Sequence, residues 1–214
     1  MASDDMNVGD DVRKAIAEGR RVQEAVRDIT LKALTRHELD QRALRKVTKD
    51  AMDAVRDAAA VQGASVTQAA KDAVGGVDQA LAHAAQALKL SLDEAASRAG
   101  KFTQEDLARA KNDLADLEKM FLDTLRDTAQ SASGTASAMF EDLGRHARSS
   151  GTAIGRQLAE MAPLAERMAQ AGQAQFEAGM HAAATSGALF ARAAAGVLAG
   201  IADTLSGKHK GPPG

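Results

Sequence analysis

The chain has 214 residues, of which 45% are hydrophobic but only 2% aromatic, with five Phe and neither Trp nor Tyr. Lys and Arg total 27 against 29 Asp and Glu, a net charge of −2, which argues against nucleic acid as a partner because phosphate binding needs a strongly basic surface. Cysteine is absent, which excludes disulfides and thiolate metal sites.

Alanine carries most of the apolar fraction. Its methyl contributes about 0.8 kcal/mol on burial against about 1.5–3 kcal/mol for Leu or Phe, so helices faced with Ala approach closely around a thin core. With three Pro, abundant helix formers and no sustained strand alternation, the chain is predicted to be all-α. The expected architecture is an elongated bundle or coiled coil of long amphipathic helices with an Ala-rich core.

The opening M-A-S-D-D-M-N-V-G-D-D is acidic and has no apolar run, unlike a secretory signal, so residues 1–11 are expected to be a disordered tail of a cytoplasmic protein. Charged amphipathic helices are predicted over 12–130. Apolar residues recur at helical spacing through Val22, Val26, Ile29 and Ala33, then Leu44, Val47, Ala51, Val55 and Ala58. Between these runs T-R-H-E-L gives Thr35 and Glu38 the spacing of a capping box, marking a break or a bend. The positive charges around Lys46 are answered by Asp50, Asp53 and Asp57, so this stretch reads as an ion-paired face.

From Val66 to Ala99 the apolar face can be written Val66, Ala70, Ala73, Val77, Leu81, Ala84, Leu88, Leu92, Ala95 and Ala99. The steps of four, three and four give an eleven-residue period, which keeps one face flat along a straight helix. Lys71, Asp72, Asp78, Lys89, Asp93, Glu94 and Arg98 project from the opposite half or its borders. A further helix starts at F-T-Q-E-D-L, with Thr103 as N-cap and Phe102 stapled to Leu107. Leu107, Leu114, Leu117 and Phe121 then form a heptad-like seam for packing against another helix.

Residues 131–151, which begin S-A-S-G-T-A-S-A, read as a linker containing a short helix. Apolar Ala/Gly-rich helices are predicted over 152–206, and the Pro-containing 207–214 as a second disordered tail. The stretch Gly187–Gly200, G-A-L-F-A-R-A-A-A-G-V-L-A-G, tests as a membrane span and fails. Leu189, Phe190, Val197, Leu198, Ile201 and Leu205 together favour insertion by about 2–3.5 kcal/mol, whereas Arg192 alone opposes by up to about 2.5–3.5 kcal/mol and Asp203 adds to it. Gly196 and Gly200 make a G-x-x-x-G ribbon suited to close helix packing, and the same segment could instead lie on a lipid or polymer phase.

Catalytic patterns do not assemble. His37, His83, His146, His181 and His209 never stand at helical ligand spacing to one another, and no Glu precedes a His by three residues. G-I-A-D-T-L-S-G-K has six residues between its glycines where a phosphate loop needs four. An enzyme is not expected, nor a metal, a cofactor or a small-molecule substrate.

The Met/Phe-punctuated stretch M-A-Q-A-G-Q-A-Q-F-E-A-G-M, the Ala- and Gln-rich amphipathic helices and the absence of Cys, Trp and Tyr resemble the phasins, bacterial proteins that coat polyhydroxyalkanoate storage granules. Separately, V-Q-E-A-V-R-D-I-T-L-K-A-L is similar to the opening of a family of uncharacterised bacterial helical proteins. The expected function is noncatalytic coating of a hydrophobic surface, which the phasin resemblance implies is a polyester granule. Leu81, Leu88 and Leu92 would make one contact face, and Phe176, Met180, Leu189, Phe190, Val197 and Ile201 another. A homo-oligomer is expected. The alternatives are a self-associating structural bundle, held in part by Gly196 and Gly200, and a membrane-active helical protein.

Overall fold

A computed structural model describes residues 7–35, 41–62, 67–97 and 104–160. They form α1 (Val8–Glu18), α2 (Val22–Thr35), α3 (Gln41–Gln62), α4 (Thr67–Ser97), α5 (Gln104–Ser131), α6 (Gly134–Ser150) and α7 (Ala153–Glu160). No strand occurs among the described residues, and the fold is all-α.

The first helix begins earlier than its acidic composition suggests. Asn7 Oδ1 accepts the Asp10 amide at 3.3 Å, Asp10 and Asp11 face the positive helix end, and Val8, Val12 and Ile16 form a buried stripe. The expected disordered tail therefore does not extend to Asp11. The helix stops at Gly19, whose left-handed φ of 65° lets its N–H reach Ala15 O at 3.2 Å. The charged helical stretch predicted from residue 12 thus opens on α1 and then α2, with Gly19 ending the first. Thr35 is the last residue of α2, and its hydroxyl turns back to donate to Lys32 O at 3.0 Å; Glu38, its partner in the capping-box reading, lies outside the described residues.

The fourth helix is central. It packs chiefly along α2, with α7 and α3 on its other sides. Of its predicted stripe, Ala70, Ala73, Val77, Leu81 and Ala84 are buried, but so are Val74, Ala80, Ala85 and Ala87. The buried band is wider than one stripe because α4 has neighbours on several faces.

Helices α5 and α6 form an antiparallel hairpin across only Ala132 and Ser133. The expected linker over 131–151 is therefore mostly helix. Ala136, Met139 and Phe140 supply a buried stripe, and the small polar residues find local partners, with Ser137 Oγ donating to Ala129 O at 2.9 Å. Interhelical ion pairs join Lys71 to Asp142 at 3.6 Å and Lys89 to Glu160 at 3.5 Å.

All seven helices contribute to one continuous core in which Ala is the most frequent residue. Its larger members include Phe121, Phe140, Leu31, Leu34 and Met52. Three buried Thr side chains are satisfied within their own helices: Thr30, Thr48 and Thr128 donate to the carbonyls of Val26, Leu44 and Thr124 at 2.7–2.8 Å. Charged residues on α3 pair as the sequence predicts, Lys46 with Asp50 at 2.6 Å and Arg56 with Asp53 and Asp57 at 2.9 and 2.8 Å.

Candidate functional site at the start of α7

A part-buried polar constellation that joins three helices lies where α7 enters the bundle. An eight-residue helix leaves its first amides without intrahelical acceptors, so something else must supply them. Asp78, from the middle of α4, does so: its carboxylate accepts Ala153 N at 2.8 Å and Ile154 N at 3.4 Å. Thr152 takes the next, its Oγ1 accepting Gly155 N at 2.8 Å. The same hydroxyl donates its proton to Glu118 Oε1 on α5 at 2.6 Å. Three helices therefore meet through one hydrogen-bonded chain.

Two carboxylates face one helix terminus, which the helix dipole favours. Burial nevertheless dominates at Asp78 and pushes its carboxyl above the ordinary range. The amides of Ala153 and Ile154 and the charge of Arg156 pull it down, while the neighbouring Glu118 pushes it up. A Cβ at Gly155 would stand 2.5 Å from Glu118 Oε1 and 3.1 Å from Thr152 Oγ1, so a side chain there would have to displace the Glu118 carboxylate from this arrangement.

The raised value has a signed consequence. Asp78 binds its proton more tightly in the folded protein than in the free chain. Its contribution to stability is therefore greatest below the ordinary carboxyl value of 3.8 and declines as pH rises through that value to the raised one. Asp78→Asn keeps one acceptor and deletes the buried charge. The stability of wild type relative to this variant is expected to fall as pH rises from the ordinary carboxyl value of 3.8 through the raised one. Urea denaturation followed by far-UV circular dichroism at several pH values checks this, and a pH-independent difference would contradict it.

The carboxylates and the hydroxyl of this junction are engaged with each other and with backbone amides. An open groove beside it on α5 is lined by Glu118, Lys119, Leu122, Asp123, Arg126 and Arg148. Its charges mostly answer one another, Lys119 bonding Asp123 at 2.9 Å and Arg126 lying 3.3 Å from the same carboxylate. The Lys119 hydrogen bond holds the Asp123 carboxyl below its usual value. Among the described residues no group of His, Asp and Glu is placed to hold a metal ion, and no helix is long and apolar enough to cross a membrane.

The residues predicted from sequence are dispersed. Leu81 was expected on an outward contact face, but it is wholly inside the bundle because α4 is surrounded. The side chains of Leu88 and Leu92 lie outside the described set, as do those of Leu107 and Leu114. Leu117 and Phe121 are buried on α5, which packs against α6 and α3. Phe176, Met180, Leu189, Phe190, Gly196, Val197, Gly200 and Ile201 lie outside the described residues. The sequence sets Asp78 on the half of α4 opposite the apolar stripe or at its borders, and its partnership with a residue 75 positions away has no local sequence signature. Thr152 did carry a signal, standing as a capping residue immediately before an apolar turn.

No curated protein and no solved structure matches the chain. A family model does, over residues 2–207, and the chain therefore belongs to that family of unknown function, DUF6781.

Proposed function

We propose that this protein is a noncatalytic helical bundle that coats a hydrophobic surface through its C-terminal third. The observation that carries this reading is how the bundle uses its own apolar residues. The described part of the α4 stripe, from Ala70 to Ala84 with Leu81 included, is turned inward, and Val61 and Leu90 are the exposed large hydrophobics among the described residues. An external apolar contact is then best sought after Glu160. There the sequence sets Phe176, Met180, Leu189, Phe190, Val197 and Ile201 on an Ala/Gly background with few charges. The phasin resemblance supports a polyester granule as the surface, in the cytoplasm, and the charged faces of α3 and α5 would keep coated particles apart.

The reading distinguishes two sets of substitutions in the full chain. Combined Leu189→Ser, Phe190→Ser and Val197→Ser is expected to lower adsorption to polyester nanoparticles at least about tenfold, as removing three apolar contacts of roughly 1.5–3 kcal/mol each implies. The helical signal and unfolding midpoint of the bundle should be preserved. Leu81→Ser is expected to do the reverse, lowering the midpoint while sparing adsorption of folded protein. Undiminished adsorption of the triple variant would sink the assignment to this segment.

The second reading is a self-associating structural bundle. It is favoured by the seam between α2 and α4, where Gly76 lets the two backbones meet, since Gly196 and Gly200 could form a similar seam between copies. It predicts a cooperatively melting oligomer without any added surface.

A further inference from the structure

The groove along α5 and α6 holds a cation that the described residues leave unanswered. Three cationic side chains line it, Lys119 and Arg126 from α5 and Arg148 from α6, against the carboxylates of Glu118 and Asp123. Glu118 accepts the Thr152 hydroxyl at 2.6 Å. Asp123 is shared by Lys119 at 2.9 Å and Arg126 at 3.3 Å, with Arg45 of α3 adding its charge nearby. Among the described residues the exposed Arg148 guanidinium forms neither a hydrogen bond nor an ion pair, although two carboxylates line the same groove.

Gly144 accounts for the position of Arg148. Glycine inside a helix is destabilising relative to Ala. Gly144 has neither the left-handed φ of Gly134 and Gly151 nor the backbone contact of Gly76. A Cβ there would meet, within 4 Å, the two terminal nitrogens of Arg148 at 3.6 and 3.8 Å and nothing else. The missing side chain thus leaves a seat one turn back along α6, over which the guanidinium lies. Its forked N–H donors match the geometry of a carboxylate. Leu122, packed against the core, and Ala115 give the groove an apolar strip beside these charges.

We propose that this open groove of about 340 Å³ binds a small organic carboxylate with a short aliphatic body. Arg148 takes the carboxylate, Lys119 and Arg126 add attraction from α5, and Leu122 and Ala115 meet the aliphatic part. Three cations against two carboxylates leave one net positive charge on the lining, which suits a monoanion. Lys119 and Arg126 are 72% and 57% exposed, so water and salt screen them and the hold is weak. The assignment does not depend on the surface-coating reading.

NMR of the full-length protein carrying nitrogen-15 in its arginines tests this through the Nε–Hε signals. Sodium butyrate, sodium phosphate and sodium chloride are titrated in turn at one fixed ionic strength. The Arg148 signal, identified by its loss in Arg148→Gln, is expected to shift saturably with butyrate at a midpoint of about 1–10 mM. Phosphate should act more weakly and chloride not at all. Saturation transfer to the butyrate protons should show binding weakened about tenfold in Arg148→Gln. Arg145→Gln, which removes an exposed arginine of the same helix already paired with Asp142 at 3.2 Å, should leave binding unchanged.

No saturable shift up to about 50 mM butyrate overturns the site. An equal response to chloride, or equal losses in the two variants, does the same by showing diffuse attraction to surface charge. Tighter binding of phosphate than of butyrate overturns the carboxylate assignment, because the groove then reads charge without the aliphatic body.

Discussion

Replacing Phe140 by Ala is expected to cost about 3–5 kcal/mol of unfolding free energy. Phe140 is fully buried on α6, the helix that closes the hairpin onto α5. Large-to-small core changes lose the transfer energy of the removed ring and leave a cavity whose cost depends on how far the neighbours can relax. An Ala-rich core relaxes poorly, because a methyl group has no side-chain torsion with which to reach into the space. The loss should therefore lie toward the upper part of the range. A urea titration at 25 °C followed by far-UV circular dichroism reads it directly. A change below about 1 kcal/mol would mean that α6 is not packed as described.

The second large effect separates two adjacent glycines. A Cβ on Gly76 would stand 2.5 Å from the carbonyl oxygen of Gln23 and 2.9 Å from the amide nitrogen of Arg27, both backbone atoms of α2. Backbone cannot rotate aside, so α2 and α4 would have to separate along the main interface of α4. Such overpacking costs typically about 1–3 kcal/mol and occasionally more, against about 1 kcal/mol gained from replacing Gly by Ala inside a helix. Gly76→Ala is expected to destabilise by about 1–2 kcal/mol net, and Gly76→Val by more. At Gly75 the nearest atom is the Gln23 side-chain nitrogen at 3.4 Å, the mobile end of a flexible chain. Gly75→Ala is accordingly expected to be neutral or to stabilise by up to about 1 kcal/mol. Equal effects at the two positions would contradict the close approach.

That pair of glycines shows what periodicity conveys and what it omits. The apolar spacing identifies α4 as a helix and sets Val77 and Leu81 on one side of it, because of 3.6-residue geometry, but it does not say what that side meets: Leu81, expected against an outside surface, is buried in the bundle. It does not reveal that α4 is central, since the extra buried residues are mostly Ala, which serve equally on a buried or a half-exposed face. Nor does it reveal the close approach at Gly76, which depends on the path of α2.

Helix ends divide the same way. Asn7 and Gly19 are local signals for the bounds of α1, readable once acidic residues are understood as first-turn companions and not as a disordered tail. The small polar residues after Ser131 resemble a linker by composition, but the Met139 and Phe140 stripe behind them decides for a helix. The α7 dock was the least legible part. Thr152 announces a cap, but Asp78 and Glu118 come from helices 34 to 75 residues away, and only the folded bundle brings them together.

The surface-coating account stands most directly on flotation. Purified full-length protein is mixed with polyester nanoparticles or with phospholipid vesicles and centrifuged through a density gradient. The account predicts that the protein floats with the polyester particles and that the triple Leu189→Ser, Phe190→Ser, Val197→Ser variant stays at the bottom. Protein that floats with neither particle would contradict it and leave a structural bundle whose partners are other protein chains.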